Sequence, residues 1–393
     1  MKAYSCGRPL GLLSPNKRQD LVNYTLSQVS EMHKATAISG LATGLVHLSE
    51  SQRQGLVTAA LGLTQEWRKA EAIAGLGTGL AHLSESQRQD LVKAALDLPH
   101  EWRKAEAIAG LGVGLEHLSE AQRQDLVKTA LGLTHEWSKS LTIPGLSARI
   151  THLKEALRRD LVDAALGLVD EKYKAQAIAG LGAELVHLNE VQRQGLVAAA
   201  LGLTDEWGKA RVIVGLGAAL VHLSESPLQS LVNAALGLTD EREKVRAIAG
   251  LGAGLVHLSE PQRQALLDVA LGLAHDEYRA QAIAGLSAGL LHLNETQRQG
   301  LVNVALGLAH EAYRTQAIAG LSTGLLHLNE TQRQGLVDAT LNLIYERYKA
   351  DAIAELGTGL AYLNESQRKN LVDAALGLFD EQAKARAIAG LVS

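Results

Sequence analysis

Three kinds of residue recur in this sequence at a fixed step, and each could do chemistry. Histidine is the sharpest: His47, His82, His117, His152, His187, His222, His257, His292 and His327 stand 35 residues apart, with Tyr362 in the next place. An imidazole row could bind metal or sense pH. A metal site needs two to four ligands converging on one ion, and rings carried one per packed helix layer would be roughly 8–10 Å apart. The row therefore reads as rings that cap the C-terminal carbonyls of a helix or bridge to the next unit. Tyr362 suits that hydrogen-bonding role better than ligation, so no metal and no other cofactor is expected.

Charged residues keep the same step. Glu50 and its equivalents are acidic in ten units, and Glu66 and its equivalents in all eleven, with Asp276 among them. Arg53 recurs in ten units, interrupted by Leu228, and Lys69 is Lys or Arg throughout. Unpaired, the basic rows would form a track for an anionic partner; paired with the acidic rows, they form a solvated ladder between units. A net charge of -4 favours the ladder.

Aromatics form the third set. Trp67, Trp102, Trp137 and Trp207 share one column, and Tyr173, Tyr278, Tyr313 and Tyr348 share the next, where Arg68 and Arg103 also stand. Their identity varies while the apolar positions around them do not, and Trp, Tyr and Arg dominate interface hot spots. This ridge is the expected partner-binding surface. The competing reading is that the rings pack over an adjacent loop and stiffen the stack. Catalysis finds no foothold, because every candidate acid or base is repeated about ten times. Only the stretch from Pro144 to Lys154 breaks the pattern, and the chain is read as non-enzymatic.

These columns need a repeated scaffold to position them. Ile38, Ile73, Ile108, Ile143, Ile178, Ile213, Ile248, Ile283, Ile318, Ile353 and Ile388 hold the 35-residue step without insertion or deletion, the signature of a repeat architecture. In the type unit 48–82, Ser49-Glu50-Ser51-Gln52 is a capping box. The first box position is Ser or Asn in ten of eleven units, Lys154 being the exception. Leu56, Val57, Ala60 and Leu61 follow at helical spacing. Gly62 is expected to end helix A as a left-handed residue, so helix A spans about Glu50 to Leu61. Helix B begins near Gln65, with Glu66 favourable to the helix dipole and Ala70, Ile73, Leu76 and Leu80 as its buried stripe. Gly75, Gly77 and Gly79 mean either close packing on a neighbouring backbone or a helix that breaks near Gly77 into a looser last turn.

One such hairpin cannot bury enough apolar surface alone, and stacked units share a core. Eleven units would make a curved rod on the order of 100 Å long. Pro144 is expected to kink helix B of the fourth unit. The apolar stripe of Ile388 and Leu391 has no following unit to cover it, which points to a partner, self-association or a longer parent chain. One repeat domain, 1–393, is expected: 1–47 for an N-terminal partial stretch and first unit, 48–362 for nine regular units, 363–393 for a truncated last unit.

Composition agrees. Six prolines and one phenylalanine in 393 residues favour helix over a β-rich fold. Cys6 is the single cysteine, which excludes an internal disulfide or a cysteine zinc site. No apolar run approaches the roughly 18–20 residues of a membrane span, and Met1 to Leu13 lacks the apolar region of a secretory signal. The chain reads as cytoplasmic, without a membrane role; delivery into a host cell by a signal with no apolar core would leave no such trace.

The segment Lys69-Ala70-Glu71-Ala72-Ile73-Ala74-Gly75-Leu76-Gly77 resembles the second helix of HEAT-like repeats and recurs over nearly the whole chain. The resemblance to HEAT and armadillo repeats implies an all-α, right-handed superhelical α-solenoid of about eleven two-helix repeats. The rigid 35-residue length and the histidine row depart from that pattern. The regular array is similar in style to repeat effectors that bacteria deliver into hosts, which implies a scaffold acting on a host protein. Pentatricopeptide and TAL-type repeats are of similar length and read bases through variable residues, here Trp67-Arg68, Trp102-Arg103, Trp137-Ser138 and onward. The glycine-lysine-glutamine loop of TAL repeats is absent, and a net acidic chain lacks the phosphate-neutralising charge. The leading reading is thus a protein-protein interaction scaffold; the alternative is a nucleic-acid binder reading bases through helix B.

Overall fold

The computed structural model describes residues 7–217 and 219–392; Cys6, with the first part of the Met1–Leu13 stretch, lies outside the described residues. All regular structure among the described residues is helical. The units alternate a helix A, such as Glu50–Leu61, Glu85–Leu96 and Glu120–Leu131, with a helix B, such as Glu66–Leu76, Glu101–Gly112 and Glu136–Ser147. A 3₁₀ turn follows helix B in every repeat up to Leu360–Tyr362 and ends on the histidine column or its Tyr362 equivalent, as in Leu45–His47, Gly77–His82 and Leu115–His117. The chain is an α-solenoid of HEAT-like repeats. By compactness it divides between Ala199 and Ala200 into two units, each with the same internal order.

Helix A starts where the capping box predicts. The Gln52 amide donates to Ser49 Oγ at 3.3 Å, and the Ser49 amide donates to Gln52 Oε1 at 2.7 Å. At Lys154 the cap has no side-chain bond, and Leu157 takes the glutamine's place. Helix A ends differently from the expectation. Gly62 is right-handed, with φ -79° and ψ -6°, and no described residue has a positive φ. Asp97 adopts the same conformation at the equivalent place. The Gly62 amide still bonds the Thr58 carbonyl at 2.9 Å. The chain then turns because Leu63 is buried, not because glycine permits a left-handed residue.

Leu56, Val57, Ala60, Ala70, Ile73, Leu76 and Leu80 are all fully buried, so these positions of the helical stripes are the shared core, whereas Leu61, at the end of helix A, is only half-buried. The glycines of helix B satisfy both of their readings. A Cβ on Gly145 would lie 2.6 Å from the Ala109 Cα, and one on Gly250 2.7 Å from the Val214 Cα. Helix B also tightens into its 3₁₀ turn at Gly77. Successive B helices therefore meet backbone to backbone. Pro144 does not interrupt its helix, Glu136–Ser147, and it packs against Gly180 of the next repeat. Among the described residues no helix is long and apolar enough to cross a membrane.

Candidate functional site

The first turn of helix B carries the aromatic ridge, and an acidic residue of the preceding repeat fixes the short loop that leads into it. Glu101 accepts from the Thr134 amide at 2.9 Å, the Thr134 hydroxyl at 2.9 Å and the His135 amide at 3.1 Å, and its carboxylate meets the His135 ring at 2.9 Å. In the N-terminal unit Glu31, Glu66 and Glu136 do the same for the loops at Thr64, His100 and Val169. In the C-terminal unit Glu206, Glu311 and Glu346 hold Thr239, Ile344 and Phe379. The Glu66 column thus does more than meet its own helix dipole; within each unit it staples one repeat to the next.

Titration reflects the staple. The His135 ring contact, opposed by burial and joined by the His135 and Thr134 amides, lowers the Glu101 carboxyl to about 2. Glu206 is lowered by the Asp240 amide first, then by Thr239. Glu346 is lowered by the amides of Phe379 and Asp380.

On the opposite edge the arginine column performs the capping expected of histidine. Arg53 donates to the Leu45 and Leu48 carbonyls at 3.4 and 2.6 Å and pairs with Glu50 at 3.0 Å. Arg88 repeats the pattern in the N-terminal unit, as do Arg263 and Arg333 in the C-terminal one. A five-donor guanidinium reaches two carbonyls and a carboxylate together, which an imidazole cannot. The histidine rings stand at the surface of the same turns, and His117 meets Glu116 at 3.2 Å. Burial, then the charges of Arg53, His117 and His47, lower the His82 imidazole.

The ridge residues fall into two depths. Trp67, Trp102 and Trp137 are 40, 46 and 40% exposed. Trp207 and the tyrosines Tyr173, Tyr278, Tyr313 and Tyr348 are half-buried, as is Arg103, and Arg68 is buried. The Arg68 guanidinium stacks 3.2 Å from the Trp67 ring and pairs with Glu71 at 2.6 Å. Arg103 lies 3.3 Å from the Trp102 ring, 5.7 Å from that of Trp67, and pairs with Glu106 at 2.9 Å. In the C-terminal unit the phenols turn to their own loops: Tyr278 stacks on His275 at 5.5 Å, and Tyr348 meets Tyr345 edge-on at 6.0 Å. The N-terminal unit thus shows a protruding ladder of alternating guanidinium and indole, whereas the C-terminal unit shows a flatter row.

Sequence reasoning missed five exposed apolar residues of the loops before helix B. Val29, Val169, Ile344, Tyr345 and Phe379 are 98, 83, 82, 66 and 90% exposed. Their signal was available, since Val29, Val169, Ile344 and Phe379 interrupt a column otherwise held by Thr, Ala and Pro. The departures around Pro144 find structural partners: Arg149 pairs with Glu116 at 2.8 Å, Lys154 with Glu120, and Ser147 donates to the Gly180 carbonyl at 3.2 Å.

Sequential helix pairs, sealed by small residues on one row and polar ladders on the other, define a HEAT-like α-solenoid. Over 98% of its length the chain is similar to 50% of the karyopherin Kap121p chain bound to the SUMO protease Ulp1p, at 13% identity and a TM-score of 0.55. Kap121p bound to the extreme C-terminus of the protein phosphatase Cdc14p matches at 12% identity and a TM-score of 0.48, covering 96% of this chain and 45% of that one. An engineered protein matches at 16% identity and a TM-score of 0.30, covering 95% and 98%. The chain spans about half the length of the karyopherin chains it matches. No protein-family model and no curated sequence matches it.

Proposed function

We propose that this chain is a non-enzymatic scaffold, one repeat domain whose loop edge grips a partner protein through the aromatic and polar ridge. The observation that carries the reading is the protrusion of Trp67, Trp102 and Trp137 beside a core that repeats almost without change. An indole left two-fifths exposed sacrifices burial that folding would otherwise use, and regularly spaced indoles of this kind supply hot spots. The likeness to a solenoid solved in complex with a protein, Kap121p with Ulp1p, supports a protein as the partner class. The array is proposed to act as a bacterial effector on a host protein, delivered without an apolar signal. Self-association is proposed through the outer face of the last repeat, where Leu376 and Val392 are 57 and 80% exposed.

The test is capture from cell lysate by the parent chain beside a Trp67→Ala, Trp102→Ala, Trp137→Ala, Trp207→Ala variant with unchanged helicity. A protein held by the parent and lost by the variant supports the ridge. Equal capture by both moves recognition to another face, and retention of nucleic acid alone overturns the scaffold reading.

A further inference from the structure

The ladder in the N-terminal unit lacks a rung. Its order is Arg68, Trp67, Arg103, Trp102, and then, where the next guanidinium would stand, Ser138 before Trp137. Ser138 is 1% exposed and its hydroxyl has no hydrogen-bond partner. An unpaired buried hydroxyl costs free energy that the surrounding structure must offset. Trp102 and Trp137, the indoles of the two flanking rungs, are 46 and 40% exposed. Among the described residues no cation or second ring stacks on Trp137.

We infer that the Trp102–Ser138–Trp137 position is a receptor slot for an arginine side chain of the partner protein, which would complete the ladder. The proposal rests on the scaffold reading and specifies its chemistry. The molecule's own rungs show what the slot takes: a planar cation lying 3.2–3.3 Å from an indole, where the ring quadrupole attracts it. Arg103 shows that such a group can bridge two successive repeats while mostly covered, its side chain being 17% exposed. Ser138 Oγ supplies the acceptor. Glu106, one turn beyond Trp102 on the same helix face and with a side chain 35% exposed, already pairs with Arg103 at 2.9 Å and would be shared between Arg103 and the incoming guanidinium, since Leu141 offers no carboxylate. Lysine fits less well, because an ammonium is a compact, strongly hydrated charge without a stacking plane.

The experiment uses the full chain with its four tryptophans labelled as 5-fluorotryptophan, assigned through single Trp→Phe variants and followed by fluorine NMR. The probe is acetyl-Ala-Arg-Ala-amide, with the lysine analogue as its comparison. The expected result is a saturable shift of the Trp102 and Trp137 signals, with Trp67 and Trp207 unmoved, and affinity about fivefold lower for lysine. Ser138→Arg, which fills the slot from within, should abolish the shift. Should that variant fold poorly, Trp137→Ala, at an exposed position, should remove the Trp102 response instead. No shift, equal response to lysine, or an undiminished response in Ser138→Arg or Trp137→Ala would overturn the inference. Capture of a partner through the ridge alongside a silent peptide titration would leave the scaffold reading standing and this slot refuted.

Discussion

Where Gly110 lies on Ala74, two B helices touch backbone to backbone; where the Gln87 side chain donates to that of Gln54 at 2.7 Å, two A helices are held a pair of amide side chains apart. The same amide link recurs from Gln262 to Gln229, from Gln297 to Gln264 and from Gln332 to Gln299 in the C-terminal unit. One seam is sealed by the absence of side chains and the other spanned by their presence. The B seam therefore fixes the spacing of repeats and tolerates no added volume, because close-packed interiors yield little. The A seam sets register through polar bonds whose net worth is individually small. Within each unit the B helices are the closely packed row, and their first turns carry the ridge.

The sharpest way to break this comparison is to crowd the B seam. Gly110→Val puts side-chain atoms into the Ala74 backbone and should cost about 3 kcal/mol or more by overpacking. Urea unfolding checks it; a loss below about 1 kcal/mol would mean the backbones are free to part. Removing an arginine cap should cost less. Arg88→Ala leaves the Leu80 and Leu83 carbonyls and the Glu85 carboxylate without their donor, for about 2 kcal/mol, whereas His82→Ala should be nearly silent at pH 7. An equal loss at His82 would restore the capping role to histidine.

The loop staples come next, and they add a pH signature. Glu101→Gln should cost about 1 kcal/mol at pH 7, a charge-assisted set of bonds discounted for the part of the carboxylate open to solvent. Because the folded carboxyl is lowered to about 2, the parent's advantage is present above the ordinary carboxylate range. It fades as pH falls from about 4.5 towards 2. Thermal unfolding of parent and variant across that range should converge at the acid end. A gap that stays constant with pH would remove the staple. His82 has the same sign from the other direction: its lowered imidazole means protonation favours the unfolded chain, so stability is lost as pH falls below about 6.5.

On the A seam, Gln332→Ala breaks one amide rung and one side of a capping box and should cost about 1 kcal/mol, well short of the crowded B seam. The smallest effect belongs to the helix A terminus. Gly62→Ala meets the Thr58 carbonyl at 3.3 Å and the Ala59 carbonyl at 3.7 Å on a backbone already right-handed. It should fall within about 0.5 kcal/mol of neutral, or stabilise slightly by restricting the unfolded chain. A large loss there would reinstate the left-handed termination predicted from the glycine.

Much of this was legible from one repeat. The capping box at Ser49, the helix from Glu50 to Leu61 and the buried stripe of Ala70, Ile73 and Leu76 follow from local spacing, and the structure has them residue for residue. The roles of polar columns were not legible, because their partners sit 29–37 residues away or in the carbonyls of a turn whose position only packing sets. Glu66 looked like a dipole partner and is a staple for the next loop. His47 looked like a cap, and Arg53 is the cap.

The sequence by itself determined the repeat, its helices and its core, since a 35-residue step and helical periodicity are properties of the chain read in order. Tertiary structure alone decided which face of each repeat meets the next and at what separation. That choice sorts the aromatic columns into exposed Trp67, Trp102 and Trp137 and half-buried tyrosines. The reason is physical: exposure belongs to neighbouring layers, and a residue type fixes what a side chain can bond but not what is brought within reach of it.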